Sequence, residues 1–238
     1  MKNNYEHGKE YRMKRSEINN LMRKAVAFFE EQRFALPPFA LWTAEEWKTK
    51  GGEEYDELRS NMLGWDITDF GSGDFHKIGL LLVTLRNGSM TNPKYPKTYC
   101  EKLMIQEEGQ RTPYHFHFMK TEDIINRGGG TLVIKLYNSN PDGSFADTDV
   151  MVSSDGRNYA VPAGSEIRLA PGESVTLLQG QYHTFWAEGG MVMITEVSKV
   201  NDDRTDNRFY ENIGRFPAIE EDEEPLYLLS MDYETFFK

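Results

Sequence analysis

The chain is poor in cysteine: Cys100 stands alone among 238 residues. No internal disulfide is available, which suits a reducing compartment. No stretch approaches the ~18 consecutive apolar residues of a membrane span. The opening MKNNYEHGKEYRMKRSE has no apolar centre of the kind a secretory signal needs, so a soluble cytoplasmic protein is expected. Basic residues are also short, at 27 Lys and Arg against 38 Asp and Glu, a net charge of −11. That balance argues against nucleic acid, whose phosphates call for clustered cations, and against an anionic membrane surface. Histidine is rare too, with five in all, so the place of each one matters.

Aromatic residues are not scarce, at 13% of the chain, and they suffice for a sizeable core. A helix is expected from Ser16 to about Arg33, with Ser16 as its cap and Glu17 at its positive end. Ile18, Leu21, Met22, Ala25, Phe28 and Phe29 fall on one face at helical spacing. LPPFALW breaks that helix, and Thr43 is placed to cap a short second one. From about Ile78 the pattern changes to short apolar or alternating segments: IGLLLVTLR, YCEKLMI, TLVIKLYN, SEIRLA, ESVTLL, HTFWA and MVMITEVS. Gly- and Pro-bearing turn signals separate them (GGG, NPDG, SDG, PAG, APG, EGG), the signature of a sandwich or barrel. The expected architecture is one domain over 1–238. It has a polar tail (1–15), a helical embellishment (16–50), a β-barrel (76–200) and a loop-rich acidic tail (201–238) packed on the barrel. The EEDEEP run reads as a solvated face.

The stretch PYHFHFMKTEDIINRGGG carries the sharpest signal. On a strand, His115 and His117 point to the same face, and two imidazoles on one face can share a metal ion. Glu122 has the opposite parity, but a turn at Met119–Thr121 would bring it back to the same point. Two imidazoles and a carboxylate resemble the set that leaves metal positions open for substrate. A fourth ligand would come from His183 in QGQYHTFWA. The bland alternative is an ordinary strand with two partly exposed histidines. His7 and His76 read as tail and loop residues. Phe185 shares the His183 side of its strand and Trp186 faces away. The three glycines 128–130 read as a tight turn between strands.

These residues match the cupin pattern. In its first motif, Gly-x5-His-x-His-x4-Glu-x6-Gly, Gly109, His115, His117, Glu122 and Gly129 meet every gap. In the second, Gly172, Gly180 and His183 are in step, while Leu178 and Ala187 replace the expected Pro and Asn. The stretch HFHFMKTEDIINRGGGTLVIKLYNS, with EKLMIQ before it and GQYHTFW and EVSKVNDDRTDNRF after it, resembles the D-lyxose isomerase family. The resemblance implies an all-β core with a cupin-type, jelly-roll-like barrel and an N-terminal helical extension. It also implies a divalent metal, usually Mn²⁺, on His115, His117, Glu122 and His183. The implied reaction interconverts D-lyxose and D-xylulose, with D-mannose and D-fructose as a further pair. The implied assembly is a homodimer.

Aldose–ketose exchange moves a proton between C2 and C1, so acid/base groups are required near the carbons. Lys120 lies two residues before Glu122 and would face the same cavity, with a pKa lowered by burial and the metal. For its carboxylate partner, Glu211 is the first choice, with Glu196, Glu220 and Glu221 as alternatives. Asp202, Asp203 and Asp206 follow the last barrel strand, where an aspartate would suit a sugar hydroxyl, although most are expected at the surface. Three rival readings share the site: an Fe²⁺ cupin dioxygenase, an isomerase of phosphorylated sugars, and a non-catalytic sugar-binding cupin. The basic residues near the motifs form no clear phosphate cluster, and the ligand set is fuller than a storage cupin needs.

Overall fold

Long helix α1 (Arg15–Glu31) lies against a large sheet, and its apolar stripe is the reason. In the computed structural model, which describes residues 12–203, 205–211, 213–214 and 217–237, Ile18, Met22, Ala25 and Phe29 are buried. They pack with Trp65, Ile67, Leu81, Val83 and Leu103 in one continuous cluster. Burying each large apolar side chain contributes about 1.5–3 kcal/mol. Ser16 does not cap this helix through its own side chain. Lys14 occupies the cap position, and the Asp222 carboxylate accepts from both the Ser16 N–H (2.9 Å) and its hydroxyl (2.8 Å). Within the same acidic run, Glu221 pairs with buried Arg15 at 2.7 Å, and Glu223 accepts from Asn19 at 2.8 Å. The run is therefore a docking edge for α1 rather than a plain solvated face. Thr43 caps short helix α2 (Ala44–Trp47) in a reciprocal capping box with Glu46, as its sequence implies.

The strands are β1 (Arg12–Lys14), β2 (Gly64–Thr68), β3 (Leu80–Arg86), β4 (Tyr99–Gln106) and β5 (His115–His117). After them come β6 (Glu122–Ser139), β7 (Phe145–Ala146), β8 (Val150–Ser154), β9 (Arg157–Val161) and β10 (Glu166–Leu169). The last four are β11 (Ser174–Leu177), β12 (Gln181–Lys199), β13 (Asn207–Phe209) and β14 (Ala218–Glu220). The sheet thus begins at Gly64, before the expected barrel start. Its main path runs β2-β3-β4-β12-β6-β11-β8-β9, so among the described residues the ends do not pair and the barrel is not closed. Both faces of β3 are covered, which is why LLLVTL reads as an unbroken apolar run. Leu81 and Val83 face α1, while Leu80 and Leu82 join Met104, Ile124, Ile134, Phe185 and Ile194 in the inner core.

Neither GGG nor EGG is a turn. β6 runs through Gly128–Gly130 and β12 runs through Gly189–Gly190, and the two shift register between Glu188 and Val192. Gly189 (φ 74°) and Gly190 (φ 122°) adopt the left-handed region that favours glycine. At Gly129 an added Cβ would strike the Met191 carbonyl and the Phe28 ring of α1. The bulge has a positional consequence. His183 and Glu196 are separated by an odd number of positions, which would place them on opposite faces of a regular strand. The shift at 188–192 resets the alternation, so Phe185, Ala187, Val192 and Ile194 all face the inner core, and Glu196 continues that face.

Candidate active site

Four side chains converge inside the sheet. His115 on β5 pairs across to His183 on β12, and His117 follows on the same face. The ring nitrogens of His115, His117 and His183 lie within 4.8 Å of one another, a group able to hold a metal ion. β5 ends at His117 and β6 begins at Glu122. The intervening turn corrects the parity of Glu122, whose Oε1 stands 3.2 Å from both His117 Nε2 and His183 Nε2.

Hydrogen bonding fixes which nitrogens face inward. A carbonyl can only accept, so the Pro113 carbonyl (2.9 Å) and the Gln181 carbonyl (3.0 Å) place the proton on Nδ1 of His115 and His183. The Nε2 lone pairs are left for the centre. Nε2 of His117 and of His183 are buried with no hydrogen-bond donor or acceptor assigned to them. Orphaned buried polar atoms are costly in a native fold, and a cation at the common focus of these two nitrogens would satisfy both. Burial, then the neighbouring His183 and His117, push the His115 imidazole well below its usual pKa. Burial lowers His117 as well. Burial works against the charge of Glu122, but Lys120 and His117 hold its carboxyl well below the usual range. Neutral imidazoles and an ionised carboxylate are the protonation states a metal ligand requires.

Lys120, 3% exposed, places Nζ 2.8 Å from Glu122 Oε2 and 2.7 Å from Glu196 Oε1. Its pKa runs opposite to the expected direction. Burial alone would lower it, but Glu122, Glu196 and Asp203 together outweigh burial and raise it. The carboxylate that meets it is Glu196, not Glu211. Glu211 is exposed and lies outside the cavity lining. Glu196 is 5% exposed and also accepts from Ser198 Oγ at 3.1 Å.

A second buried lysine, Lys102 on β4, lies 3.5 Å from Glu196 Oε1 and 3.7 Å from Asp203 Oδ1, and donates to Asn201 Oδ1 at 2.7 Å. From the sequence, Lys102 counts only among the basic residues near the motifs that form no phosphate cluster; its burial on β4 is what places it at the site. Asp203 lines the cavity, as do Asp66, Thr68 and Asn207. The opposite wall is apolar, with Phe70, Leu80, Leu82, Phe185 and Phe209. The cavity opens to solvent, and its interior together with the mouth spans about 670 Å³. Trp186 points away and donates to Glu188 at 3.0 Å, and Arg127 donates to Thr195 at 3.0 Å, so neither joins the site. His76 is a surface residue beside Glu107, and His7 lies outside the described residues.

Residues 13–233 match the model of the D-lyxose isomerase family. The chain belongs to the D-lyxose isomerase family. It is 46% identical over 226 residues to the D-lyxose/D-mannose isomerase of Serratia proteamaculans, covering 94% of this chain and 99% of that one. The D-lyxose/D-mannose isomerase of Escherichia coli O157:H7 is 44% identical, with 94% and 100% covered. Among solved structures, the L-ribose isomerase of Acinetobacter sp. DL28 in complex with L-ribose superposes with a TM-score of 0.61 at 16% identity, covering 90% of this chain and all of that one. That likeness shows a shared fold. As a member of the D-lyxose isomerase family, the chain is a sugar isomerase of the aldose–ketose type. Among the described residues, no helix is long and apolar enough to cross a membrane.

Proposed function

We propose that this isomerase interconverts D-lyxose with D-xylulose, and D-mannose with D-fructose, in a Mn²⁺-dependent reaction that moves a proton through an enediol. The convergence of three imidazoles and Glu122 beside a buried Lys120–Glu196 pair carries the reading. His115, His117, Glu122 and His183 would hold the cation. When bound, a divalent cation supplies Lewis acidity at adjacent sugar oxygens.

The chain's own residues divide the remaining work. Glu196, held by Lys120 and Ser198, takes the proton from C2 and returns it at C1. Lys120 remains cationic between two carboxylates, so it acts by orienting Glu196 and donating to a sugar oxygen rather than as a base. The apolar wall at Phe70, Phe185 and Phe209 excludes water from the carbons. The D-mannose pair is supported by the names of the two curated relatives, and a homodimer by the family resemblance.

The test is a ketose assay on chelator-stripped protein with D-lyxose, before and after adding Mn²⁺, run in D₂O. Formation of D-xylulose only with metal, with solvent deuterium at C1, supports the reading. Ketose that gains no deuterium at C1 even after many forward and reverse turnovers indicates hydride transfer and removes the proton-carrying role of Glu196. No ketose with any divalent metal overturns the proposed function.

A further inference from the structure

Asp206 is 2% exposed, yet it does not line the cavity. Its contacts are made to backbone. Oδ1 accepts the Met119 N–H at 2.6 Å and Oδ2 accepts the Lys120 N–H at 3.1 Å. Its main-chain carbonyl accepts the Phe118 N–H at 3.1 Å. One residue therefore takes three successive N–H groups of the turn that joins His117 to Glu122.

The carbonyls of the turn are held from elsewhere, by Gln179 Nε2 on the Met119 carbonyl (3.0 Å) and the Lys199 N–H on the Thr121 carbonyl (3.3 Å), whereas its successive N–H groups are held by Asp206. The side chains of Phe118 and Met119 are 55% and 45% exposed, so burial does little to set its shape. The two residues it carries into the cavity, Lys120 and Glu122, are both 3% exposed and need placement to a fraction of an ångström. Bonds from N–H groups to an ionised carboxylate are about twice as strong as neutral ones. The following residues extend the grip, because β13 pairs Asn207 with His117 and Phe209 with His115. The Phe209 ring also packs on the His115 ring with centroids 5.3 Å apart.

We propose that Asp206 is a positioning residue of the metal site. It sets the 118–121 turn and thereby fixes Glu122 relative to His117 and His183, with Lys120 carried along. The inference rests on the metal-dependent reading above. It assigns to Asp206 a share of metal affinity although the residue is not itself a ligand.

The experiment is Mn²⁺ titration of the stripped full-length protein, followed by the electron paramagnetic resonance signal of free Mn²⁺, for wild type, Asp206→Asn and Asp206→Ala. Thermal melts with and without Mn²⁺ run in parallel. Outer-shell partners of ligands typically contribute 10–100-fold in metal affinity. The Kd is expected to rise about 10–100-fold in Asp206→Ala. A rise of about 10-fold is expected in Asp206→Asn, whose NH₂ faces one of the N–H groups. The Mn²⁺-dependent gain in Tm should shrink in step. Asp206→Asn is nearly isosteric and carries the test if Asp206→Ala does not fold. A Kd for folded Asp206→Asn within twofold of wild type overturns the proposal, even if its metal-free melt is lower. Wild type that binds no metal overturns the metal reading and this inference together, whereas tight wild-type binding with an unchanged variant overturns this inference alone.

Discussion

Lys120 and Glu196 are 76 residues apart in sequence, and their charged atoms are 2.7 Å apart in a buried pair. The lysine sits on a turn at the end of β5 and the glutamate on β12 beyond its bulge. Because Lys120 also lies 2.8 Å from Glu122 Oε2, it bridges the carboxylate proposed for proton transfer and one proposed to hold the metal.

Glu196→Gln keeps the shape of the side chain and removes its basicity. Its kcat on D-lyxose should fall about 10²–10⁴-fold, the usual contribution of a positioned acid/base group. Mn²⁺ affinity should stay near wild type. Glu211→Gln, on the exposed residue, should leave kcat within twofold. Steady-state kinetics on the two variants decides which carboxylate acts.

Lys120→Met leaves Glu122 buried without its ammonium partner, while Glu196 keeps Lys102 3.5 Å away. Breaking a buried pair by deleting one member costs about 3–5 kcal/mol. Chemical denaturation of the metal-free protein should show a loss of that order. Added Mn²⁺ should recover part of it, because the ion supplies charge beside Glu122. A variant as stable as wild type would show that the ammonium contributes little to the fold.

Stripping the metal should lower Tm, and restoring it should raise Tm. At about 100 times its Kd, a ligand bound only by the native state stabilises by roughly 2.7 kcal/mol, or about 5–10 °C for a chain of this size. In His183→Ala that gain should vanish. Differential scanning calorimetry with and without Mn²⁺ measures it. An equal gain in the variant would place the ion elsewhere.

Metal-free stability should fall as the solution is acidified from pH 7.5 to 5.5. His115 and His117 have native pKa values below the unfolded value of about 6.5. Below that pH the unfolded chain binds protons that the folded site refuses, and stability drops with pH wherever the unfolded state binds more. The Glu122 carboxyl, also depressed, adds a further loss only at pH below about 4. Melts across the range check the sign. A stability that is flat or rises toward pH 5.5 would mean the imidazoles are not held neutral.

The histidine cluster was partly legible in the chain because strand alternation is local. HFH places His115 and His117 on one face whatever the rest of the protein does, and the stripe from Ile18 to Phe29 specifies an amphipathic α1 in the same way. Glu122 was readable only with an assumed turn, whose N–H groups are in fact held by Asp206, one of three aspartates of which most were expected at the surface. For the carboxylate beside Lys120, Glu196 stood only among the alternatives to Glu211. Alternation counted along β12 fails at Gly189–Gly190, where positive φ and a register shift carry Glu196 onto the His183 face. The direction of the Lys120 pKa was legible only in part: Glu122, the strongest influence raising it, lies two residues away, but Glu196 and Asp203 add to it only in the folded chain. Asp222 capping α1 from the far end of the chain is of the same kind. Side-chain direction within an element follows from its own period. Which charges share a buried volume follows from bulges, register and docking, and those are settled only when the whole sheet is assembled.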